Sequence, residues 1–150
     1  MTLIISDRCL SLKLLIFKLI CQCVTPKLIQ KLRMEEIDKN RLIKDYLTGV
    51  DLSGANLQGI NLSWANLSKA NLSGCNLSYT DLSWANLSYA NLSNCNLNNA
   101  ILQRSCLNKT KLTNVDFNDA NVINARFADN QGINDELKNT LIQRGAFFDN

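Results

Sequence analysis

The sequence predicts an all-β solenoid of about four coils, and three observations predict it. Every fifth residue from Leu52 to Phe127 is Leu, Phe or Val, with no gap. The run is Leu52, Leu57, Leu62, Leu67, Leu72, Leu77, Leu82, Leu87, Leu92, Leu97, Leu102, Leu107, Leu112, Phe117, Val122 and Phe127. Two residues before each stands another small or apolar side chain, as at Val50, Ala55, Ile60, Ala65, Ala70, Cys75, Thr80 and Ala85, onward to Ala125. Asn or Asp usually lies between the two, so the unit reads like Ala65-Asn66-Leu67-Ser68-Lys69.

A period of five matches neither an amphipathic helix, near 3.6, nor a half-buried strand, near 2. On a helix each five-residue step would turn the stripe by about 140°, scattering the leucines around the axis. Asn and Ser in every unit also disfavour a helix, because their side chains compete for backbone hydrogen bonds. A fixed short period instead marks a repeat architecture. If each pentapeptide is one side of a square coil, four make a turn, and the sixteen units of residues 50–129 make four coils. At about 4.8 Å per stacked strand, the rod is roughly 19 Å tall. The large hydrophobe and the small residue two before it point inward, and the other three positions face water. Residues twenty apart then stack, giving core ladders such as Leu52, Leu72, Leu92, Leu112 and Leu57, Leu77, Leu97, Phe117.

The motif A-(D/N)-L-x-x, in sixteen in-register copies, resembles the pentapeptide-repeat proteins. The resemblance covers residues 50–129 and implies a right-handed quadrilateral β-helix. Ile101, Cys106, Lys111 and Arg126 depart from it at the Asn/Asp position, while the inward positions survive throughout. The departures therefore weaken surface ladders rather than the fold.

An open β-helix exposes backbone edges at both ends, and solenoids need caps. Residues 34–49 are expected to form an N-terminal helical cap. Glu35 and Glu36 suit a helix start, Ile37, Leu42, Ile43, Tyr46 and Leu47 form a stripe, and Gly49 is the stop. Residues 130–150 are expected to form a C-terminal helical cap, with Asn134 as N-cap, Leu137, Leu141 and Ile142 as its stripe, and Gly145 as its stop. The tail from Arg144 to Phe148 folds back apolar side chains. This end resembles the closing segment of cyanobacterial members of the family.

Residues 1–33 read differently. The apolar run from Leu10 to Val24 is broken by Lys13 and Lys18 and falls short of the roughly 20 clean residues of a spanning helix. One acid, Asp7, stands against six bases, Arg8, Lys13, Lys18, Lys27, Lys31 and Arg33. Three readings stay open: a misassigned start with Met34 as the true one, a basic membrane-surface segment over residues 8–33, or a cleaved export signal.

Composition excludes most chemistry. The chain has no His, which removes Ser-His-Asp triads, Cys-His pairs and His metal sites. Its six Gly are scattered and form no phosphate loop. Asp51 and Asp81 fall on different faces, and the repeated Ser have no base beside them. No enzymatic activity, catalytic residue, cofactor or metal site is expected. Cys75 and Cys95 occupy stacked inward positions, as small hydrophobes in place of Ala or within reach of a disulfide. Cys106 is an outward thiol, and the lone Cys21/Cys23 pair is a weak metal signal. Unpaired cysteines point to a reducing, cytoplasmic setting.

Residues 50–129 hold five acids and five bases, net zero. The resemblance implies one known activity, DNA mimicry by acidic members that bind DNA gyrase. A neutral rod cannot imitate a phosphate backbone, nor does it carry the basic stripe of a nucleic-acid binder. A topoisomerase regulator is therefore the second reading. The first is a protein-interaction or scaffold module with a protein partner, acting through the face that carries Trp64, Trp84, Arg104, Ile101 and Ile123. Trp and Arg are enriched at binding hot spots. The competing reading is that the tryptophans only brace each other. Tyr79 and Tyr89 lie on the flanking faces, the Asn columns are expected to form amide ladders between coils, and homodimerisation is an alternative partnership.

Overall fold

The computed structural model describes residues 47–149. The expectations for the basic segment over residues 1–33, for Met34 as a start and for a helix over residues 34–46 lie outside the described residues.

The coil is written in the bridges. Asp51 pairs in parallel with Asn71, Asn71 with Asn91 and Asn91 with Lys111, and likewise around the section, always twenty residues on. Twenty residues are four pentapeptides, so the cross-section has four sides. Each rung is short: Leu52 N–H donates to Asn71 O at 2.8 Å, and Asn71 N–H donates to Val50 O at 2.8 Å. Then the chain turns. Ala55 N–H donates to Leu52 O at 3.0 Å, and the same bond closes every corner as far as Ala125 N–H to Val122 O at 2.9 Å. The third residue of each turn has positive φ, for example 69° at Gly54, 64° at Trp64, 61° at Lys69 and 61° at Asn94. A hydrogen-bonded turn with positive φ at that position alone is type II.

Residues 50–54 and their counterparts twenty, forty and sixty residues on form the first face. Those from 55–59, 60–64 and 65–69 form the second, third and fourth. The corner residues stack in columns. Gly54, Gly74, Asn94 and Asn114 separate the first face from the second. Gly59, Tyr79, Asn99 and Asp119 follow. Trp64, Trp84, Arg104 and Asn124 separate the third from the fourth, and Lys69, Tyr89, Lys109 and Asp129 lead back to the first.

The interior is an apolar column. Leu67, Leu72, Leu77, Leu82, Leu87, Leu92, Leu97, Leu102, Leu107 and Leu112 are wholly buried, and Leu52, Leu57 and Phe117 nearly so. Where the small inward residue is polar, it donates to a corner carbonyl. Thr80 Oγ1 reaches Leu57 O at 2.8 Å, and Ser105 Oγ reaches Leu102 O at 2.7 Å. Buried hydroxyls are thereby satisfied. Cys75 Sγ donates to Leu52 O at 2.9 Å and Cys95 Sγ to Leu72 O at 2.8 Å, and both thiols are free.

Two expectations are corrected. Gly49 does not stop a helix. It has φ 66°, its N–H donates to Ser68 O at 2.8 Å, and Leu47, five residues before Leu52, is buried. Residues 47–49 thus continue the coil. Glycine supplies positive φ to a helix stop and to a type II corner alike, and only the leucine register separates them. Nor are the Asn columns mainly ladders. Amide bonds between coils join Asp51, Asn71 and Asn91, and Asn94 with Asn114. Most Asn Oδ1 atoms instead accept the backbone N–H two residues on, as Asn61 does from Ser63 at 2.9 Å and Asn86 from Ser88 at 3.0 Å. That local bond is within reach of any Asx residue and competes with bonds to the next coil.

At the C-terminal side, β1 (Arg126–Ala128) pairs in parallel with β2 (Phe147–Asp149), with Arg126 opposite Phe147. Helix α1 (Asp135–Gln143) connects them. Asn134 Oδ1 accepts Leu137 N–H at 2.8 Å. Of the expected helical stripe, Leu141 is buried, Leu137 is half-buried and Ile142 is exposed. Arg144 donates to Phe117 O and Ala120 O, and the Phe148 ring stacks on Phe127 at 4.8 Å. β2 thus occupies the edge where a further coil of the fourth face would begin.

Candidate protein-interaction face

The corner between the third and fourth faces brings together the side chains singled out from the sequence. Consecutive corners stand one coil apart, so their side chains meet at the sheet spacing of about 4.8 Å. The Trp64 and Trp84 rings lie 4.7 Å apart and 6° from parallel. The Arg104 guanidinium lies 4.8 Å from the Trp84 ring on the next coil. Both faces of Trp84 are therefore covered, Trp64 is covered on the face toward Trp84, and Trp64 is 57% and Trp84 43% exposed. Ile101 and Ile123 stand beside them on the third face and are also exposed. Tyr79 is exposed at the opposite corner of that face, one column away.

The left-handed backbone at these positions was not read from the sequence. Trp64 and Trp84 have φ of 64° and 61°, and Arg104 has 59°. This left-handed conformation costs an L-residue about 1–2 kcal/mol, and Gly, Asn and Asp bear it best. The signal was present in the sequence: Gly49, Gly54, Gly59 and Gly74 all fall at the same position of the repeat.

A second column was missed. Lys109 Nζ lies 5.6 Å from the Tyr89 ring and 4.0 Å from an Asp129 oxygen. Between the two columns, Arg126 donates to Asp149 at 2.8 Å, and that carboxylate pushes the Arg126 guanidinium up from its ordinary pKa. On the first face, the Ser53 backbone N–H holds the Asp51 carboxyl below the usual range. In the interior, the neighbouring Cys75 sulfur and then burial push the Cys95 thiol up. Among the described residues no cluster of acids and cysteines has the makings of a metal site. The arrangement offers ring edges, guanidinium and aliphatic surface to a partner, and no nucleophile beside a base.

Comparison with known proteins agrees with the coil. The pattern of the family described as Pentapeptide repeats matches in eight copies, over residues 46–83 and 80–119. No curated protein is similar in sequence. Among solved structures, a pentapeptide repeat protein from Nostoc Pcc 7120 is 25% identical over 66% of this chain and 84% of its own, with a TM-score of 0.55. One from the cyanobacterium Cyanothece 51142 is 35% identical over 57% of this chain and 63% of its own, with a TM-score of 0.38. One from the Arabidopsis thaliana thylakoid lumen is 26% identical over 77% of this chain and 88% of its own, with a TM-score of 0.37. Repeat register, four-sided coil and family match agree, and the chain belongs to the pentapeptide-repeat family.

Proposed function

We propose that this protein is a non-enzymatic interaction or scaffold module that docks a protein partner on the edge carrying Trp64, Trp84 and Arg104, with Ile101 and Ile123 beside it. One observation carries the reading. Two tryptophans occupy corners whose left-handed backbone suits Gly or Asn. Holding both there costs about 2–4 kcal/mol, and their stack returns about 0.5–1.5 kcal/mol. The stack alone does not repay that cost, while the exposed parts of the rings are the surface from which interface hot spots are made. Against the competing reading, rings that only brace each other would be replaced by Asn without loss to the coil.

In the same reading the rod carries a helical segment at each end and works in a reducing cytoplasm, in keeping with the free Cys75, Cys95 and Cys106. Its balanced charge leaves the topoisomerase reading without a supporting observation. The test is capture from extract of the source cells on the full-length protein, beside a Trp64→Asn/Trp84→Asn variant of unchanged circular dichroism. A partner held by the first and lost by the second is expected. The same proteins on both would remove this edge from the function.

A further inference from the structure

The ten charges of residues 50–129 sum to zero, yet they are sorted. Lys69 and Lys109 stand on one corner of the fourth face and Arg104 on the other, with Arg126 on the face between them. The fifth base, Lys111, follows Lys109 by two residues. Among the five acids only Asp129 lies in this group, and Asp149, beyond residue 129, pairs with Arg126 on the same face, so Lys69, Arg104 and Lys109 supply the available charge. Asp116 and Asp119 sit on the opposite, second face and its corner, Asp81 on the third and Asp51 on the first. We infer that the fourth face is a docking strip for an extended, acidic segment of a partner protein, whose carboxylates meet Arg104 and Lys109 across the strip. This deepens the interaction-module reading and rests on it.

The cations are held in place before any partner arrives. Arg104 lies on Trp84 and Lys109 on Tyr89, one at each corner of the same coil. A cation seated on a ring has fewer conformations to lose on binding. Arg104 and Lys69 make no ion pair among the described residues. The Lys109–Asp129 contact is long and exposed, so an incoming carboxylate can exchange with it. Between the corners lies a polar floor of Asn66, Ser68, Asn86 and Ser88, able to give and accept hydrogen bonds.

Dimensions narrow the occupant. A face one short strand wide and four coils tall measures about 10 by 19 Å. Its roughly 200 Å² is far below the ~800 Å² per partner of a stable protein interface, so a second copy laid flat on it is disfavoured. A single extended chain fits. Single-stranded nucleic acid stacks its bases on open ring faces, and at this coil those of Trp84 are taken by Trp64 and Arg104 and one face of Tyr89 by Lys109, which favours a peptide.

The test is fluorescence anisotropy of full-length protein with labelled octaglutamate, with octalysine and a ten-residue oligothymidylate as the other probes. Octaglutamate is expected to bind, octalysine not to bind, and the affinity to fall with added salt. Arg104→Ala/Lys109→Ala should weaken octaglutamate by about ten-fold or more, and Asp116→Asn/Asp119→Asn should leave it unchanged. The proposal is overturned if Arg104→Ala/Lys109→Ala binds as well as the wild type, as it would if residues 1–33 held the peptide. Tighter binding of the oligothymidylate would overturn it in favour of nucleic acid. So would concentration-dependent self-association abolished by the same two substitutions, in favour of a second copy. A partner captured through Trp64 and Trp84 while octaglutamate fails would leave the interaction reading standing and remove only the acidic segment.

Discussion

Two corners of this coil have the same backbone and opposite side chains. Between the first and second faces stand Gly54, Gly74, Asn94 and Asn114, with φ of 69°, 69°, 61° and 56°. Between the third and fourth stand Trp64, Trp84, Arg104 and Asn124, with φ of 64°, 61°, 59° and 59°. The turn hydrogen bonds match as well: Cys75 N–H to Leu72 O at 3.1 Å on one side, Ala85 N–H to Leu82 O at 3.0 Å on the other. The first column uses the residues that adopt this conformation most readily. The second holds two indoles and a guanidinium in it. The backbone requirement is the same at both corners, so the proposed docking role of the second is what the comparison puts to the test.

The comparison breaks completely if the interior fails. Leu92 is wholly buried between leucines twenty residues above and below. In Leu92→Asp a carboxylate would have no partner there, at a cost of several kcal/mol, comparable with the whole stability of a small domain. Loss of the cooperative thermal transition by circular dichroism is expected, and with it both corner columns. Leu92→Ala should cost about 2–5 kcal/mol and leave a lower but still cooperative melt. A cooperative melt for Leu92→Asp near the wild-type midpoint would mean that the coils do not share one core.

Exchanging residues between the corners sharpens the comparison. Around Gly54 and Gly74 nothing lies within 4 Å of where a Cβ would be, so side chains fit there. Gly54→Trp/Gly74→Trp should destabilise by roughly 1–3 kcal/mol, the left-handed cost less the stacking gain. Trp84→Asn should be nearly neutral, whereas Trp84→Val, β-branched in the same conformation, should cost more than about 1 kcal/mol. Urea denaturation of the set gives the order. Tryptophans moved to the glycine corner should not capture the partner; if they do, position on the rod is irrelevant.

Much of this was legible, because the interior is the part of a solenoid that repeats. Leucine every five residues fixes the inward direction, and the four sides implied by the family resemblance then give the columns, so Trp64, Trp84 and Arg104 could be aligned twenty residues apart. The corner conformation was less legible, since in most coils the residue there is not glycine and a side chain at positive φ leaves no trace in hydrophobic pattern. Gly49 shows the ambiguity from the other side: a glycine after an apolar run fits a helix stop and a corner equally. Net charge says nothing of arrangement: that Lys69, Arg104, Lys109 and Arg126 share one face and its corners appears only when residues are assigned to columns. The Asn columns misled because an amide can serve its own repeat or the next coil, and the sequence does not choose.

The shared interior can also be probed chemically. Cys75 and Cys95 are buried and hydrogen-bonded to carbonyls, and Cys106 is partly exposed beside Ser88. Alkylation by iodoacetamide followed by peptide mapping should modify Cys106 in the folded protein and reach Cys75 and Cys95 only after unfolding. The Cys95 thiol, pushed up by its Cys75 neighbour and by burial, should not gain reactivity as pH rises through about 8.5, the usual range for a free thiol. Cys75 or Cys95 reacting as fast as Cys106 would mean that the coil opens at the second face, and the comparison between corners would then be one between a rigid and an opening side.

The smallest effect expected is at Asp51, where the Asx bond used throughout the coil is made by a titrating group. Its carboxylate accepts the Ser53 N–H at 3.0 Å and an Asn71 amide hydrogen at 3.1 Å, and the Ser53 bond holds it below the usual carboxylate range. Folding therefore favours the charged form. The contribution is complete above the unfolded value and disappears as pH falls through the lower, folded one. Asn56, Asn61 and Asn66 accept the same bond from Gln58, Ser63 and Ser68 at 3.2, 2.9 and 3.2 Å without a charge. Asp51→Asn should thus melt with the wild type near pH 5 and above it near pH 2.5, the two curves separating only below about pH 4. Equal losses for both proteins on acidification would place the titration elsewhere and reduce the Asp51 bond to one that Asn and Asp make alike. Separation of the curves would show the Asp51 carboxylate, through its Ser53 and Asn71 bonds together, holding the start of the first face.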